Sequence, residues 1–131
     1  DKKFVYKIIN QIKNGATELN IVDDKDGTPT YTVDFAKNAR LIIENQYYGL
    51  YNLVCEGLTS RFDVTKRILQ ILGRQNDIKI NKVTSKFFEK EYFADRPSSE
   101  RLVNKRLNLR GINIMRDWED ALQDYIGDII I

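Results

Sequence analysis

Apolar residues recur with two distinct periods along the chain. Phe4, Val5, Ile8, Ile9 and Ile12 lie at the spacing of one helical face and predict a helix over 3–14, with Gly15 as its stop. Leu19 and Ile21 alternate with polar neighbours in ELNIV, predicting a short strand. A second helix is expected from near Thr32 or Asp34 to Glu44, with Phe35, Ala36, Ala39, Ile42 and Ile43 inward. LYNLVC, residues 50–55, shows little alternation and reads as a strand buried on both faces. Thr59 or Ser60 caps a third helix to Leu72, with Asp63 in its first turn, Phe62, Ile68, Leu69 and Leu72 as its apolar face, and Gly73 at its end. IKINKV, residues 78–83, alternates as a strand, and a last helix is expected from Met115 to Gly127 with Trp118, Ala121, Leu122 and Tyr125 inward. The tail Asp128–Ile131 is very apolar for a chain end, which points to a partner surface or a truncated strand. Alternating strands and helices make a mixed α/β (α+β) unit, with no repeat and no evident linker, and 131 residues fit one domain.

Two stretches break this periodicity. VDDKDGTPT, residues 22–30, is dense in turn formers, and Pro29 biases Thr28 toward extended backbone. FADRPSSERLVNKRL, residues 93–107, contains the other proline, and Pro97 similarly holds Arg96 extended. A guanidinium fixed in this way offers a planar fork of donors suited to a carboxylate or phosphate. A surface arginine in a turn would carry the same sequence. Phe87, Phe88, Tyr92 and Phe93, interleaved with Lys86 and Lys90, resemble a base-stacking platform, but core packing in a helix or loop explains them more simply. Asp23 and Asp24 are adjacent carboxylates in a turn, a pattern more often solvated than metal-binding.

Composition narrows the chemistry. The chain has no histidine, which excludes Ser-His-Asp and Cys-His catalysis and His-containing zinc sites. A single cysteine, Cys55, in an apolar run suits a reducing compartment, and no apolar run is long enough to span a membrane, so a cytoplasmic location is expected. Net charge is +2 but uneven: residues 61–110 carry 13 Lys/Arg against 6 Asp/Glu, and residues 111–131 carry 1 against 5. The basic middle suits either a pocket for a phosphorylated small molecule or a nucleic-acid surface.

Three stretches in order, VDDKDGTPTYTVDFA (22–36), GLYNLVCEGLTSRFDVTKRIL (49–69) and RPSSERLVNKRLNLRGINIMRDWEDAL (96–122), resemble the C-terminal part of dTDP-4-dehydrorhamnose reductases. These are extended short-chain dehydrogenase/reductases acting on nucleotide sugars. The opening KFVYKII resembles the family's first helix in this region, so the resemblance covers nearly the whole chain. Lys25 stands where the family usually has glutamine, Lys3 replaces an asparagine, and Glu100 a common serine. The resemblance implies a Gly-rich dinucleotide turn and a Tyr-x-x-x-Lys pair. Neither occurs here, since no tyrosine has a lysine four residues on. Residues 1–131 are therefore expected to be the substrate-binding domain, with the Rossmann half absent from this chain.

By that resemblance the full-length enzyme uses NADP or NAD to reduce the 4-keto group of a dTDP-sugar, while this chain alone binds no cofactor and has no reductase activity. Arg96 is expected on the substrate pyrophosphate, with Lys25 and Thr30 as further substrate contacts or turn-stabilising residues. No catalytic, cofactor or metal residue is assigned. The missing half or another protomer is expected to cover exposed apolar surface, with no membrane or nucleic acid as partner. Two other functions fit: a non-catalytic relative that binds or regulates a protein, and a small basic nucleic-acid-binding domain.

Overall fold

Ile8, Ile9 and Ile12 form the buried stripe of helix α1, Phe4–Lys13, in a computed structural model that describes residues 4–91 and 97–130. Gly15, at φ +84°, ends α1 in a reversed turn: its N–H donates to the Ile12 carbonyl and that of Ala16 to Gln11. Strand β1, Glu18–Val22, buries Leu19, Ile21 and Val22 and pairs in parallel with β2, Lys79–Val83, in the register Leu19↔Ile80 and Ile21↔Lys82. Parallel strands need a crossover. Helix α3, Arg61–Ile71, supplies it and packs on both α1 and β1.

Ser60 caps α3 as expected, accepting from the Asp63 N–H at 3.2 Å and donating to its carboxylate at 2.8 Å. A 3-10 helix, Ser85–Glu91, follows β2. There Phe87 is exposed and meets Phe88 edge-on at 4.9 Å, so Phe87 is not core, while Tyr92 and Phe93 lie outside the described residues. These elements belong to one compact unit, Asp1–Asp26 with Thr59–Glu100; Gly27–Leu58 with Arg101–Ile131 form a second.

The second unit holds helices α2 (Thr32–Glu44), α4 (Lys105–Arg110) and α5 (Trp118–Ile130). Its core is Trp118, Ala121, Leu122 and Ile126 of α5, with Leu107 of α4, Cys55 and Met115. Here the structure corrects four expectations. Helix α2 has the expected bounds but a turned face: Asp34 and Asn38 are its buried residues, Ala39 and Ile42 are half-buried, and Phe35 is 46% and Ile43 74% exposed, with Ala36 outward. LYNLVC joins no ladder among the described residues, and Leu50 is exposed. Helix α4 was not expected, and α5 starts at Trp118 and continues through the apolar tail to Ile130 rather than ending at Gly127. The architecture is mixed α/β, with five α-helices and a two-stranded parallel sheet among the described residues.

Candidate functional site

The turn-rich loop 22–30 is held at several points along its length. Asp23 pairs with Lys82 of β2 at 2.8 Å. Asp24 accepts from the Ser85 N–H and hydroxyl, each at 3.0 Å, and so starts the 3-10 helix. The Ser85 backbone donor holds the Asp24 carboxyl below the usual carboxylate range, and the nearby Lys25 charge lowers it further. The two aspartates thus serve separate partners, and no group of residues suited to a metal ion occurs among the described residues.

Asp26 ties the loop to the stretch that follows Arg96. Its N–H donates to the Ser98 carbonyl and its carbonyl accepts from Glu100 N–H, both at 2.9 Å. It also bridges to Ser60, the cap of α3. Half-buried Lys25 therefore sits between Asp24, anchored to the 3-10 helix, and Asp26, anchored to 98–100. Arg96 itself lies outside the described residues; the chain is described again from Pro97. The two stretches singled out in the sequence, 22–30 and 93–107, are thus joined through backbone hydrogen bonds within the first unit.

Thr30 belongs to the second unit, where its Oγ1 accepts from the Cys55 N–H at 3.3 Å. Thr28 Oγ1 donates to the Gly57 carbonyl at 2.8 Å. Both threonines brace the 50–57 segment, and the Thr30 hydroxyl keeps its own proton to donate elsewhere. Gly57, at φ +95°, passes so close to the Trp118 ring that a Cβ would lie 2.7 Å from Cδ1, so only glycine fits.

Sequence reasoning missed the polar residues that hold the second unit together. Buried Asn104 donates to the Val54 carbonyl at 2.7 Å and accepts from the Val54 N–H at 3.0 Å, standing in for a neighbouring strand. It also donates to Glu56, whose carboxylate accepts from Asn113 as well. Asn38 repeats the device, donating to the Ile112 carbonyl and accepting from the Ile114 N–H. Buried Asp34 accepts from Arg116 Nε through both oxygens at 3.1 Å, and Arg116 Nη1 reaches Asp124 at 2.6 Å. These bonds, Asp124 first and then Asp34, keep the Arg116 guanidinium more firmly protonated than an ordinary arginine. Tyr31 donates to Asp128, and that bond pushes the phenol up to about 12. The Tyr125 ring meets Tyr31 edge-on at 5.9 Å. Burial raises the Cys55 thiol, so it is not an activated nucleophile. The one local signal for this network is the i, i+4 pair Asp34 and Asn38, which marks a polar stripe along α2.

Known proteins share this fold. The family described as RmlD substrate binding domain matches residues 1–130. A dTDP-4-dehydrorhamnose reductase from Clostridium acetobutylicum superposes with a TM-score of 0.90 at 32% identity, covering 100% of this chain and 45% of that one. A dTDP-4-dehydrorhamnose reductase from Bacillus anthracis, solved in complex with NADP, gives 0.84 at 25% identity over 98% of this chain and 43% of that one. A Mycolicibacterium smegmatis dTDP-4-dehydrorhamnose reductase is 26% identical over 93% of this chain and 37% of its own length. The chain spans about two fifths of the length of these relatives. No helix among the described residues is long and apolar enough to cross a membrane.

Proposed function

We propose a role from one premise: this chain belongs to the RmlD substrate binding domain family. Residues 1–131 act as a single substrate-binding domain that grips the nucleoside-diphosphate end of a dTDP-sugar. The parent protein reduces the 4-keto group of that sugar, the chemistry of dTDP-L-rhamnose synthesis. The observation that carries the reading is the bonding of Asp26 to Ser98 and Glu100, which joins the Lys25 loop to the stretch that follows Pro97. In this reading Arg96 presents its fork to the pyrophosphate and Lys25 adds a second positive charge.

The nicotinamide cofactor is held elsewhere in the parent protein. When bound, NADP or NAD supplies the hydride, as suits a family whose Bacillus anthracis relative was solved with NADP. The first turns of α2, α3 and α5 offer no place for the cofactor's pyrophosphate. A pyrophosphate favours a helix N-terminus free of negative charge. The three longest helices instead carry Asp34, Asp63, or Glu119 and Asp120 in their first turns.

The parent's remaining part, or a second protomer, covers the second unit's apolar surface. Val33, Phe35, Ile43, Leu50, Leu58 and Leu109 are all exposed there. The same surface favours the second reading, a non-catalytic relative that binds a protein partner.

The test is calorimetric titration of dTDP into the full-length protein and its Arg96→Ala and Arg96→Lys variants, each first shown to fold. Arg96→Ala should weaken binding by roughly 1.5–3 kcal/mol, the range for a charged hydrogen bond, or about 10-fold to over 100-fold. Arg96→Lys should recover only part of this loss. Equal affinities for all three proteins remove Arg96 from the site, and no dTDP binding by the wild type rejects the substrate assignment.

A further inference from the structure

Arg106 and Arg110 lie one turn apart on α4 and share an aromatic support. The Arg106 guanidinium carbon is 5.7 Å from the Tyr51 ring centroid. That of Arg110 is 6.0 Å from the same ring and 5.0 Å from Tyr47. Like charges at i, i+4 repel, yet neither arginine pairs with a carboxylate among the described residues. This contrasts with Arg40, Arg74 and Arg116, each of which has an acidic partner.

The backbone is shaped to admit Arg106. At Gly49, φ +133°, the Arg106 guanidinium lies over the backbone, 2.1 Å from where a Cβ would stand, so a side chain there would displace the guanidinium. The Tyr51 hydroxyl of the same cluster is buried and meets no hydrogen-bond partner among the described residues. A buried donor left unmatched calls for an explanation. Arg110 gains something from lying at the C-terminus of α4, but Arg106 does not.

We propose that Arg106, Arg110 and Tyr51 form an oxyanion site for a phosphate group on the second unit. The two guanidinium forks supply paired donors and charge, and the rings of Tyr47 and Tyr51 hold them in place. The Tyr51 hydroxyl is the neutral donor that completes the set. A bound phosphate relieves the repulsion between the two arginines. The phosphate comes either from a free inorganic anion or from the diphosphate of a nucleotide. The site rests on the second unit's own geometry and does not require the substrate assignment above.

The experiment titrates inorganic pyrophosphate, and separately dTDP, into the chain while following the arginine side-chain Nε–Hε resonances. Saturable shifts at Arg106 and Arg110 are expected with pyrophosphate. Tighter binding of dTDP assigns the phosphate to a nucleotide, and equal binding assigns it to the free anion. Arg106→Ala with Arg110→Ala should weaken pyrophosphate binding by roughly tenfold or more, while Arg96→Ala leaves these two resonances responding as before. Arg106→Lys with Arg110→Lys keeps the charge without the forks and should recover only part of the affinity. Drifts that never saturate and simply follow ionic strength overturn the proposal. So does a folded double-alanine variant with unchanged affinity. The wild-type titration decides the matter even if that variant does not fold.

Discussion

Replacing Arg116 with methionine should destabilise the second unit far more than removing its exposed partner, Asp124. The two acids bonded to Arg116 differ sharply in burial: the Asp34 side chain is 2% exposed and that of Asp124 57%. Arg116→Met leaves the Asp34 carboxylate inside without a cation, and breaking a buried pair in this way costs about 3–5 kcal/mol. Two features of the structure reduce that figure. The Arg116 side chain is itself 36% exposed, so water can reach the vacated space. Asp34 also lies in the first turn of α2, where the helix dipole offsets roughly 0.3–1 kcal/mol. The expected loss is about 2–4 kcal/mol. Asp124→Ala breaks only a solvent-exposed pair and should cost less than about 1 kcal/mol. Urea unfolding followed by fluorescence measures both, because Trp118 is the sole tryptophan and lies in the core of this unit. Equal losses for the two variants, or a loss for Arg116→Met below that for Asp124→Ala, would refute the assignment of Asp34 as a buried charge neutralised by Arg116.

Two further outcomes follow from local geometry. Helix α2 ends with Gln46 at φ +55°, its N–H on the Ile43 carbonyl and that of Tyr47 on Ile42, the turn that α1 and α3 close with Gly15 and Gly73. Gln46→Gly should therefore stabilise the chain by about 0.5–1 kcal/mol in the same urea assay, the left-handed strain outweighing the entropy of glycine, and a destabilised variant would contradict this. Tyr31, raised from 10.0 to about 12 by its bond to Asp128, should ionise late in an ultraviolet titration. Its contribution to stability is fully present below about pH 10 and is lost as pH rises through about 12. A late phase that survives in Tyr31→Phe would disprove the assignment.

The hydrophobic period revealed the first unit well and the second poorly. Helices α1 and α3 bury aliphatic residues at i, i+3 and i+4, and β1 alternates, so local sequence contains the information. Helix α2 was found in place but turned the wrong way. Its buried Asp34 and Asn38 are satisfied by Arg116 and by the backbone at 112 and 114, more than 70 residues further on. No local period encodes a partner at that distance. The run 50–55 has the composition of a strand, yet side chains meet its backbone: Asn104 at Val54 and Thr30 at Cys55. The candidate site was legible in part. The turn at 22–30 and the Arg-Pro dipeptide stand out by composition, but the backbone bonds from Asp26 to Ser98 and Glu100 do not.

This contrast explains where the second unit's apolar residues lie. Buried asparagine and aspartate side chains make its internal connections, so α2 does not need its apolar face to hold the unit together. That face, with Val33, Phe35 and Ile43, is left outward. Leu102, Val103, Leu109 and Ile114 are exposed in the same unit, whereas the first unit exposes only Phe87 among the described large apolar residues. Placing polar groups inside and apolar groups outside is costly for an isolated surface, because buried polar atoms must each find a partner and exposed apolar area stays hydrated. The arrangement becomes favourable when another protein surface covers the apolar face. The polar network then fixes α2 so that its outward residues present a defined surface, which is the physical basis for the covering role proposed above.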